Sequence, residues 1–329
     1  MPEDVAGIPT PALVIDVAAM ERNIRRMAAY FAAGPCRLRP HFKAHKTPEI
    51  ARRQLAAGSC TGLTCATVSE TVAVDSTAGL AAIDAAARHA GVIVGVLVDL
   101  NVGQTRCGVA PGSDAVSLAR QVASAKGVAL RGLMGYEGHL VGLPDRVERE
   151  ARTRLAMAGL VETARMLRAS GLPCDVVSAG GTGTYDISGR IDGITEIQAG
   201  SYVLMDTDYG RLDVPFEQAF WALGTVISRP EPGRCVADCG HKSMTKDHGY
   251  PAVRDLDGAS VVSLNDEHAT ISVPPECGIH IGDRVYLRPS HTDPTINLHD
   301  VFYALDGDQV IGVWPIAARG YPEHRRVIS

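Results

Sequence analysis

A change in the spacing of apolar residues near residue 225 is the feature that most constrains the fold of this chain. Before that point, short apolar runs such as residues 92–99 alternate with segments such as residues 20–33, where apolar side chains recur every three or four positions. This pattern predicts strands that alternate with helices. After residue 225, short segments of alternating apolar residues lie between Gly, Pro and Asp residues, which predicts an all-β region.

The N-terminal two thirds of the chain predicts a parallel sheet. Its strands are apolar runs separated by helices, and such strands are typical of sheets that are buried on both faces. With 329 residues, the chain is long enough for two domains. We therefore predict the α/β class, with a βα (TIM-like) barrel followed by a C-terminal all-β domain.

One junction does not fit a complete barrel. Only residues 67–70 separate the strands predicted at residues 62–66 and 71–74, whereas parallel neighbours need a crossover of about a dozen residues or more. Either these strands form an antiparallel hairpin, or a strand–helix unit is missing after Glu70. The second interpretation is favoured, because no Gly or Asn is present to make a tight turn.

Composition and charge exclude several classes of partner. The net charge of −5 gives no electrostatic footprint for nucleic acid or for an anionic membrane surface. No apolar run approaches the roughly 18 residues that a membrane span needs, and the N-terminal residues do not resemble a signal peptide. The eight cysteines include no Cys-x-x-Cys pair, which is typical of reduced thiols. We therefore predict a cytoplasmic protein that binds neither nucleic acid nor membrane.

Ionisable residues alternate along an early predicted strand. With a period of two, Arg39, His41, Lys43 and His45 would share one face. Such groups are costly to bury without a task, and a lysine among cations and apolar walls has a lowered pKa that suits Schiff-base chemistry. The same alternation puts Lys46 on the opposite face, which favours Lys43. The alternative is a basic edge strand that faces solvent.

Two glycine-containing turns follow consecutive predicted strands. Their residues are Gly180, Gly181 and Thr182 in the first turn, and Gly200, Ser201 and Tyr202 in the second. Glycines let backbone N–H groups approach an anion closely. The spacing matches neither the dinucleotide-binding motif nor the P-loop, so we predict binding of a different phosphate group. The alternative for each turn is an ordinary βα connection.

The predicted β region contains a candidate metal site. His291 and Asp293 are two positions apart, so their side chains would point the same way in an extended segment. An imidazole and a carboxylate that converge can hold a divalent ion. Because nitrogen and oxygen ligands occur here without a thiolate, they favour Mn²⁺, Mg²⁺ or a similar ion over a structural Zn²⁺. The alternative is a hydrogen bond within a loop.

Three further candidates follow two central strands of the predicted barrel. Arg106 lies in a loop at the C-terminal end of one strand, where it could pair with an anionic oxygen, although it could equally be an exposed arginine. Tyr136 and His139 follow the next strand and bring a phenol and an imidazole to the same rim.

In these motifs the chain resembles the D-threonine aldolase and D-serine dehydratase family, whose N-terminal domain is similar to that of alanine racemase. The resemblance covers nearly the whole chain. It implies a fold type III pyridoxal 5′-phosphate enzyme, usually a homodimer, with a βα barrel at residues 17–222. A β domain with a metal site would follow at residues 223–329 and include a strand at residues 9–16. Family members have a further strand–helix unit after Glu70, which implies that this chain lacks one.

The resemblance also implies a role for each candidate residue. Lys43 would bind the cofactor covalently, Arg106 would face its phenolic oxygen, and Tyr136 would lie nearby. The phosphate would be held by Gly180, Gly181, Thr182, Gly200, Ser201 and Tyr202. His291 and Asp293 would hold the metal, with Mn²⁺ expected first and Mg²⁺ or another divalent ion as alternatives.

The activity implied by the resemblance is cleavage of D-threonine and other D-β-hydroxy-α-amino acids to glycine and an aldehyde. His139 would take the proton of the β-hydroxyl. The aldolases of the family carry His-x-Asp at the metal position, as this chain does, whereas the dehydratases carry His-x-Cys. The alternatives are a dehydratase of D-serine or D-3-hydroxyaspartate, an amino-acid racemase, and a pyridoxal phosphate-binding protein that consists of the barrel alone.

Overall fold

The structure is a computed structural model that describes residues 1–65 and 72–320. Its strands in chain order are β1 (Ala12–Asp16), β2 (Arg37–Leu38), β3 (Val72–Val74), β4 (Val94–Asp99), β5 (Val128–Met134), β6 (Val176–Ala179), β7 (Glu196–Ile197), β8 (Phe220–Glu231), β9 (Arg234–Ala237), β10 (Ala252–Val253), β11 (Ser260–Leu264), β12 (Ala269–Ser272), β13 (Arg284–Arg288), β14 (Val301–Asp306) and β15 (Gln309–Pro315).

The helices are α1 (Val17–Ala32), α2 (Pro48–Ala56), α3 (Thr77–Ala90), α4 (Ser113–Ser124), α5 (Arg146–Ala169), α6 (Tyr185–Ser188) and α7 (Thr292–Ile296). Short 3₁₀ turns occur at Val5–Gly7, Phe42–Ala44, Ser201–Val203 and Tyr209–Arg211. In residues 1–65 and 72–320, we find no helix whose length and apolar character would suit a bilayer span.

The chain forms two compact units. The parallel unit comprises Ala28–Phe42 and Ala57–Gly200, and the β unit comprises Met1–Met27, Lys43–Ala56 and Ser201–Ser329. These units do not test the predicted domain boundaries at residues 17–222 and 223–329, which stay predictions.

The parallel unit has the predicted alternation of strands and helices. Its six described strands follow the order β2-β7-β6-β5-β4-β3, and every neighbouring pair is parallel. α3, α4 and α5 connect β3 to β6 in sequence. Val96, Leu97 and Val98 of β4 are all buried, which explains why this strand is an uninterrupted apolar run. The predicted α/β class is confirmed.

The segments that flank the junction at residues 67–70 lie at opposite ends of the described sheet. Cys60 and Thr64 form parallel bridges to Leu38 and His41, beside β2. β3, the next strand along the chain, pairs in parallel with β4 at the other end. The predicted absence of a strand–helix unit after Glu70 concerns residues 66–71, which lie outside the described residues.

The β unit contains a mainly antiparallel sheet built around β1. The order of its main path is β11-β12-β9-β8-β1-β14-β15, with β13 alongside β8 and β10 alongside β13. β1 pairs antiparallel with β8 and parallel with β14, although it precedes them by about 200 residues or more. The all-β character predicted after residue 225 is therefore confirmed.

An apolar cluster fixes β1 within this sheet. Its buried members are Val5, Ile8, Ala12, Val14, Trp221, Leu223, Leu305 and Val310. Ile8, Val14 and Leu223 are fully buried. Burial of one such aliphatic side chain contributes about 1.5–3 kcal/mol, so the cluster holds the N-terminal strand firmly against its distant partners.

We expect Gly132→Ala to destabilise the protein by about 3 kcal/mol or more. Gly132 has φ +143° in β5, and an added Cβ would lie only 1.9 Å from the carbonyl oxygen of Val176 in β6. The strands would have to separate. The measurement is the shift of the urea unfolding midpoint relative to the wild type.

Gly91→Ala is the matched control for this change. Gly91 ends α3 with φ +69°, but no atom lies within 4 Å of an added Cβ. It should therefore cost only the backbone strain, about 1–2 kcal/mol. Equal costs for both substitutions would contradict the close approach of β5 and β6.

Candidate functional site

Lys43 lies in a turn, so the predicted alternation of side chains breaks before it. The backbone N–H groups of Arg39 and His41 donate to the carbonyls of Ile197 and Ala199, as extended residues do. From there the chain enters the 3₁₀ turn Phe42–Ala44. The predicted alternation of Arg39, His41, Lys43 and His45 on one strand face is therefore wrong from Lys43 onwards, because the extended backbone ends where this turn begins.

The two lysines of this segment contact opposite ends of α7. Nζ of Lys43 is 3.7 Å from Oδ1 of Asp293, in the first turn of α7. Lys46 has φ +52° and donates from Nζ to Oδ1 of Asn297 at 2.6 Å, at the C-terminal end of the same helix. Lys43 is therefore the lysine beside the predicted metal ligand.

His45 points into the interior rather than sharing a face with Lys43. It is fully buried, with Nε2 3.0 Å from Oε1 of Gln54, while its Nδ1 accepts the backbone N–H of Thr47. Burial lowers the pKa of His45 to about 4, so the ring is neutral. Gln54 also donates to the hydroxyl of Tyr202 at 3.0 Å, which links the lysine segment to the turn Ser201–Val203.

His291 and Asp293 converge, but not through the extended geometry that their spacing suggested. His291 is the N-cap residue of α7 and Asp293 lies in the first turn of that helix, so their separation of 3.8 Å between Nε2 and Oδ2 arises at a helix start. Pro294 suits a first helical turn. Buried Asp206 fixes this start, because its Oδ2 accepts both the N–H and the hydroxyl of Thr292.

Two residues that sequence analysis did not assign surround His291. Oδ2 of Asp247 is 2.5 Å from Nδ1 of His291. The ring of His248 stacks on that of His291 with centroids 4.2 Å apart, and its Nδ1 is 3.0 Å from Oδ2 of Asp208. Asp247, His248 and His291 each offer a ligand atom within 4.8 Å of the others. The only sequence signal was an Asp-His pair 43 positions before His291.

The residues around α7 fit a divalent metal ion. Oδ1 of Asp293 is buried and accepts no hydrogen bond from the described residues. Oδ2 of the same carboxylate faces Nε2 of His291. Imidazole and carboxylate ligands without a thiolate suit Mn²⁺ or Mg²⁺.

In the parallel unit, a buried carboxylate organises the first glycine turn. Glu137 is fully buried and accepts hydrogen bonds from the N–H of Gly180 at 3.1 Å, the hydroxyl of Thr184 at 2.8 Å and that of Ser188 at 2.5 Å. Gly180 has φ +79°, and an added Cβ would meet the side chain of Ile197 at 2.7 Å. Sequence analysis did not assign Glu137, because its partners lie more than 40 positions away.

The parallel unit brings several predicted site residues together. The guanidinium of Arg106 lies 5.5 Å from the ring centroid of Tyr136. The same ring would be 3.3 Å from a Cβ added to Gly181, so the glycine lets the turn approach Tyr136 closely. The imidazole of His139 packs against Gly103 in the loop that precedes Arg106. The first glycine turn and Tyr136 therefore pack closely against each other, in the same unit as Arg106 and His139.

A second buried carboxylate accounts for Arg39. Glu196 accepts from Nε of Arg39 at 2.7 Å, from the hydroxyl of Thr61 at 3.1 Å and from that of Ser178 at 2.8 Å. Arg39 is therefore a structural cation of the parallel unit.

Each unit carries part of the predicted site. The parallel unit contains Arg106, Tyr136, His139, Gly180, Gly181, Thr182 and Gly200. The β unit contains Lys43, Ser201, Tyr202, His291 and Asp293.

Comparisons with known proteins are consistent along the whole chain. The family model described as "Alanine racemase, N-terminal domain" matches residues 70–208, and "Putative serine dehydratase domain" matches residues 219–305. A D-threonine aldolase from an Arthrobacter species is 36% identical, over 97% of this chain and 95% of the relative.

Solved structures give the same result. The crystal structure of D-threonine aldolase from Filomicrobium marinum is 34% identical, covers 97% of each chain and has a TM-score of 0.92. D-threo-3-hydroxyaspartate dehydratase from Delftia sp. HT23 is 28% identical, with 97% of this chain and 100% of that chain covered and a TM-score of 0.86. The predicted fold, a βα barrel followed by a β domain, is confirmed by this likeness.

The alignment with the Arthrobacter protein also bears on the length of this chain. It spans 360 positions, whereas 97% of 329 residues is about 319. About 40 positions therefore have no counterpart here, which is the size of a strand–helix unit or slightly more.

We expect His45 to make stability depend on pH between about 6.5 and 4. Because its folded pKa, about 4, is below the ordinary value of 6.5, the unfolded chain binds the proton more tightly. Stability is thus fully present above pH 6.5 and is lost as the pH falls towards 4, by about 3 kcal/mol from this group. Urea unfolding at several pH values measures the effect.

His45→Gln should remove this part of the pH dependence, and His268→Gln, at an exposed position, should keep it. The same slope in all three proteins would contradict a neutral, buried His45.

Proposed function

The chain belongs to the D-threonine aldolase family, and we propose that it is a pyridoxal 5′-phosphate-dependent carbon–carbon lyase activated by a divalent metal. Its proposed substrates are D-threonine and other D-β-hydroxy-α-amino acids, which it cleaves to glycine and an aldehyde. The relatives named as D-threonine aldolases support this substrate class.

The observation that carries the proposal is the distance of 3.7 Å between Nζ of Lys43 and Oδ1 of Asp293. It puts the proposed cofactor lysine beside a proposed metal ligand. Cleavage between Cα and Cβ needs two things at adjacent atoms: an electron sink for the charge that develops on Cα, and removal of the β-hydroxyl proton. When bound, pyridoxal phosphate supplies the sink, and a metal lowers the pKa of the hydroxyl.

We propose that Lys43 holds the cofactor through its amine and that Arg106 faces the phenolic oxygen. The contact between Arg106 and the ring of Tyr136 supports a place for both beside a planar group. The proposed phosphate ligands are Gly180, Gly181, Thr182, Gly200, Ser201 and Tyr202. This assignment rests on the resemblance, since the N–H groups of Gly180 and Gly181 donate to Glu137 and Thr184 in the structure.

Proton removal is assigned in this proposal to His139. Its imidazole lies next to Gly103, in the loop that leads to Arg106. An imidazole can take a proton near neutral pH, which suits a base for the β-hydroxyl.

His291 and Asp293 are the proposed metal ligands, and Mn²⁺ is the proposed ion. Their nitrogen and oxygen donors also suit Mg²⁺. We also propose that the protein is a homodimer, because the family resemblance implies it. The proposed cytoplasmic location rests on the composition of the chain.

A dehydratase acting on D-serine or D-3-hydroxyaspartate is the second candidate, because the Delftia relative is named as such an enzyme. The carboxylate of Asp293 favours the aldolase, since the dehydratases of the family have cysteine at this position. Incubation with D- and L-threonine, with and without Mn²⁺, tests the proposal. Acetaldehyde and glycine from the D-isomer are expected, whereas a keto acid and ammonia would indicate the dehydratase.

We expect Lys43→Ala to lower kcat/KM for D-threonine by about three orders of magnitude or more, because the cofactor loses its covalent anchor. The visible absorbance of the bound cofactor should be lost as well. Lys46→Ala, three positions away, should keep that absorbance, since its partner is Asn297. Cofactor absorbance that persisted in Lys43→Ala would assign the anchor to another lysine.

We expect Asp293→Ala to abolish the metal-dependent cleavage and to retain the cofactor's visible absorbance, because only the metal loses a ligand. Asp300→Ala is the control. Asp300 is close to Asp293 in the sequence, but its carboxylate is exposed and pairs with Arg319. Activity is measured as acetaldehyde release with Mn²⁺ and with chelator. Full activity of Asp293→Ala in chelator would exclude the proposed metal role.

A further inference from the structure

We infer that Asp247 is a positioning residue for the metal site. Its carboxylate holds the Nδ1–H of His291, so that Nε2 presents its lone pair to the ion beside Asp293. This inference rests on the metal site of the proposed function and adds a residue to it.

Asp247 is held in place by hydrogen bonds on both of its oxygens. Oδ2 is 2.5 Å from Nδ1 of His291, and Oδ1 accepts the hydroxyl of Thr245 at 2.8 Å. The N–H of Thr245 in turn donates to the hydroxyl of Thr295 in α7. The loop that carries Asp247 is therefore fastened to the helix that carries Asp293.

The contact fixes which ring nitrogen of His291 carries the proton. In a neutral imidazole one nitrogen is a donor and the other an acceptor. A proton on Nδ1 is favoured by the carboxylate of Asp247, and it leaves Nε2, the atom 3.8 Å from Oδ2 of Asp293, with a lone pair. In the opposite tautomer Nε2 would carry the proton and could not bind the metal. Carboxylates in this position orient metal-bound histidines and raise their basicity.

The orientation of the His291 ring is restrained from a second side. His248 stacks on it with an interplanar angle of 14°, and His248 is itself held by Asp208. A tilt of the His291 ring would break the stack, and a half-turn of the ring in its own plane would break the hydrogen bond to Asp247. The imidazole is thus oriented before a metal binds.

Direct binding of the metal by Asp247 is the competing arrangement, because its oxygen lies within 4.8 Å of ligand atoms of His248 and His291. Two facts favour the positioning role. Both oxygens of Asp247 already accept hydrogen bonds, and the one near His291 faces Nδ1, whereas Asp293 faces Nε2.

The first test is titration of Mn²⁺ into the cofactor-loaded protein without substrate, with free Mn²⁺ followed by electron paramagnetic resonance. We expect Asp247→Ala to weaken Mn²⁺ binding by about 10- to 100-fold. Asp247→Asn keeps the shape of the side chain and an oxygen that can accept a hydrogen bond, but it lacks the negative charge. The affinity for Mn²⁺ should therefore fall less than in Asp247→Ala. Asp283→Asn is the matched control, since Asp283 faces Nδ1 of exposed His280 at 3.7 Å, and its affinity should stay within about twofold.

The second test reads the tautomer of His291 in metal-free protein, by a two-bond proton–nitrogen correlation spectrum at a pH where the ring is neutral. The wild type and Asp283→Asn should show the proton on Nδ1, and Asp247→Ala should show a mixture. This signature would not move if Asp247 served only to stabilise its loop.

Mn²⁺ affinity within twofold of the wild type in both Asp247 variants would overturn the inference, as would an unchanged tautomer. Loss of Mn²⁺ binding as complete as in Asp293→Ala would overturn the positioning role and make Asp247 a ligand. A wild type that cleaves D-threonine with Mn²⁺ leaves the proposed function intact in either case. A wild type that binds no Mn²⁺ would overturn both.

Discussion

A buried carboxylate must be surrounded by hydrogen-bond donors, and this requirement shapes the loops that carry the predicted site. Removal from water costs an unpaired carboxylate several kcal/mol, so each one collects donors from different parts of the chain. Glu137 collects three around the first glycine turn, Glu196 collects three at the strand ends, and Asp206 collects donors at the start of α7. None of the three is proposed to act in the reaction.

The charges in the two units are suited to different ligands. In the β unit, the carboxylates of Asp208, Asp247 and Asp293 lie around two imidazoles, which favours a cation. In the parallel unit, the guanidinium of Arg106 beside Tyr136 offers a positive charge, which favours an anion. A reaction that needs both a phosphate-bearing cofactor and a divalent metal is consistent with this separation of charge.

Sequence patterns predicted the fold better than the geometry of the site. β4 could be predicted because a strand that is buried on both faces forms an uninterrupted apolar run in the sequence. The position of His45 was predicted wrongly because its partner Gln54 belongs to a helix, and Gln54 in turn donates to Tyr202 in a distant turn. His291 and Asp293 were paired correctly through the wrong local structure, since a helix start can bring such side chains together as well as a strand. Asp247 was missed because its loop meets His291 only in the folded chain.

The central place of β1 has a consequence for how the protein is made. β1, at residues 12–16, leaves the ribosome before its partners, and its parallel partner β14 begins only at residue 301. At about 5–20 residues per second, translation separates the two by about 15–60 s. Until β8 at residues 220–231 is made, the apolar strand has neither of its neighbours, and after that it has only one of them. While more than 200 residues are added, the nascent chain therefore exposes an apolar segment that would favour aggregation, and molecular chaperones are the natural means of shielding it.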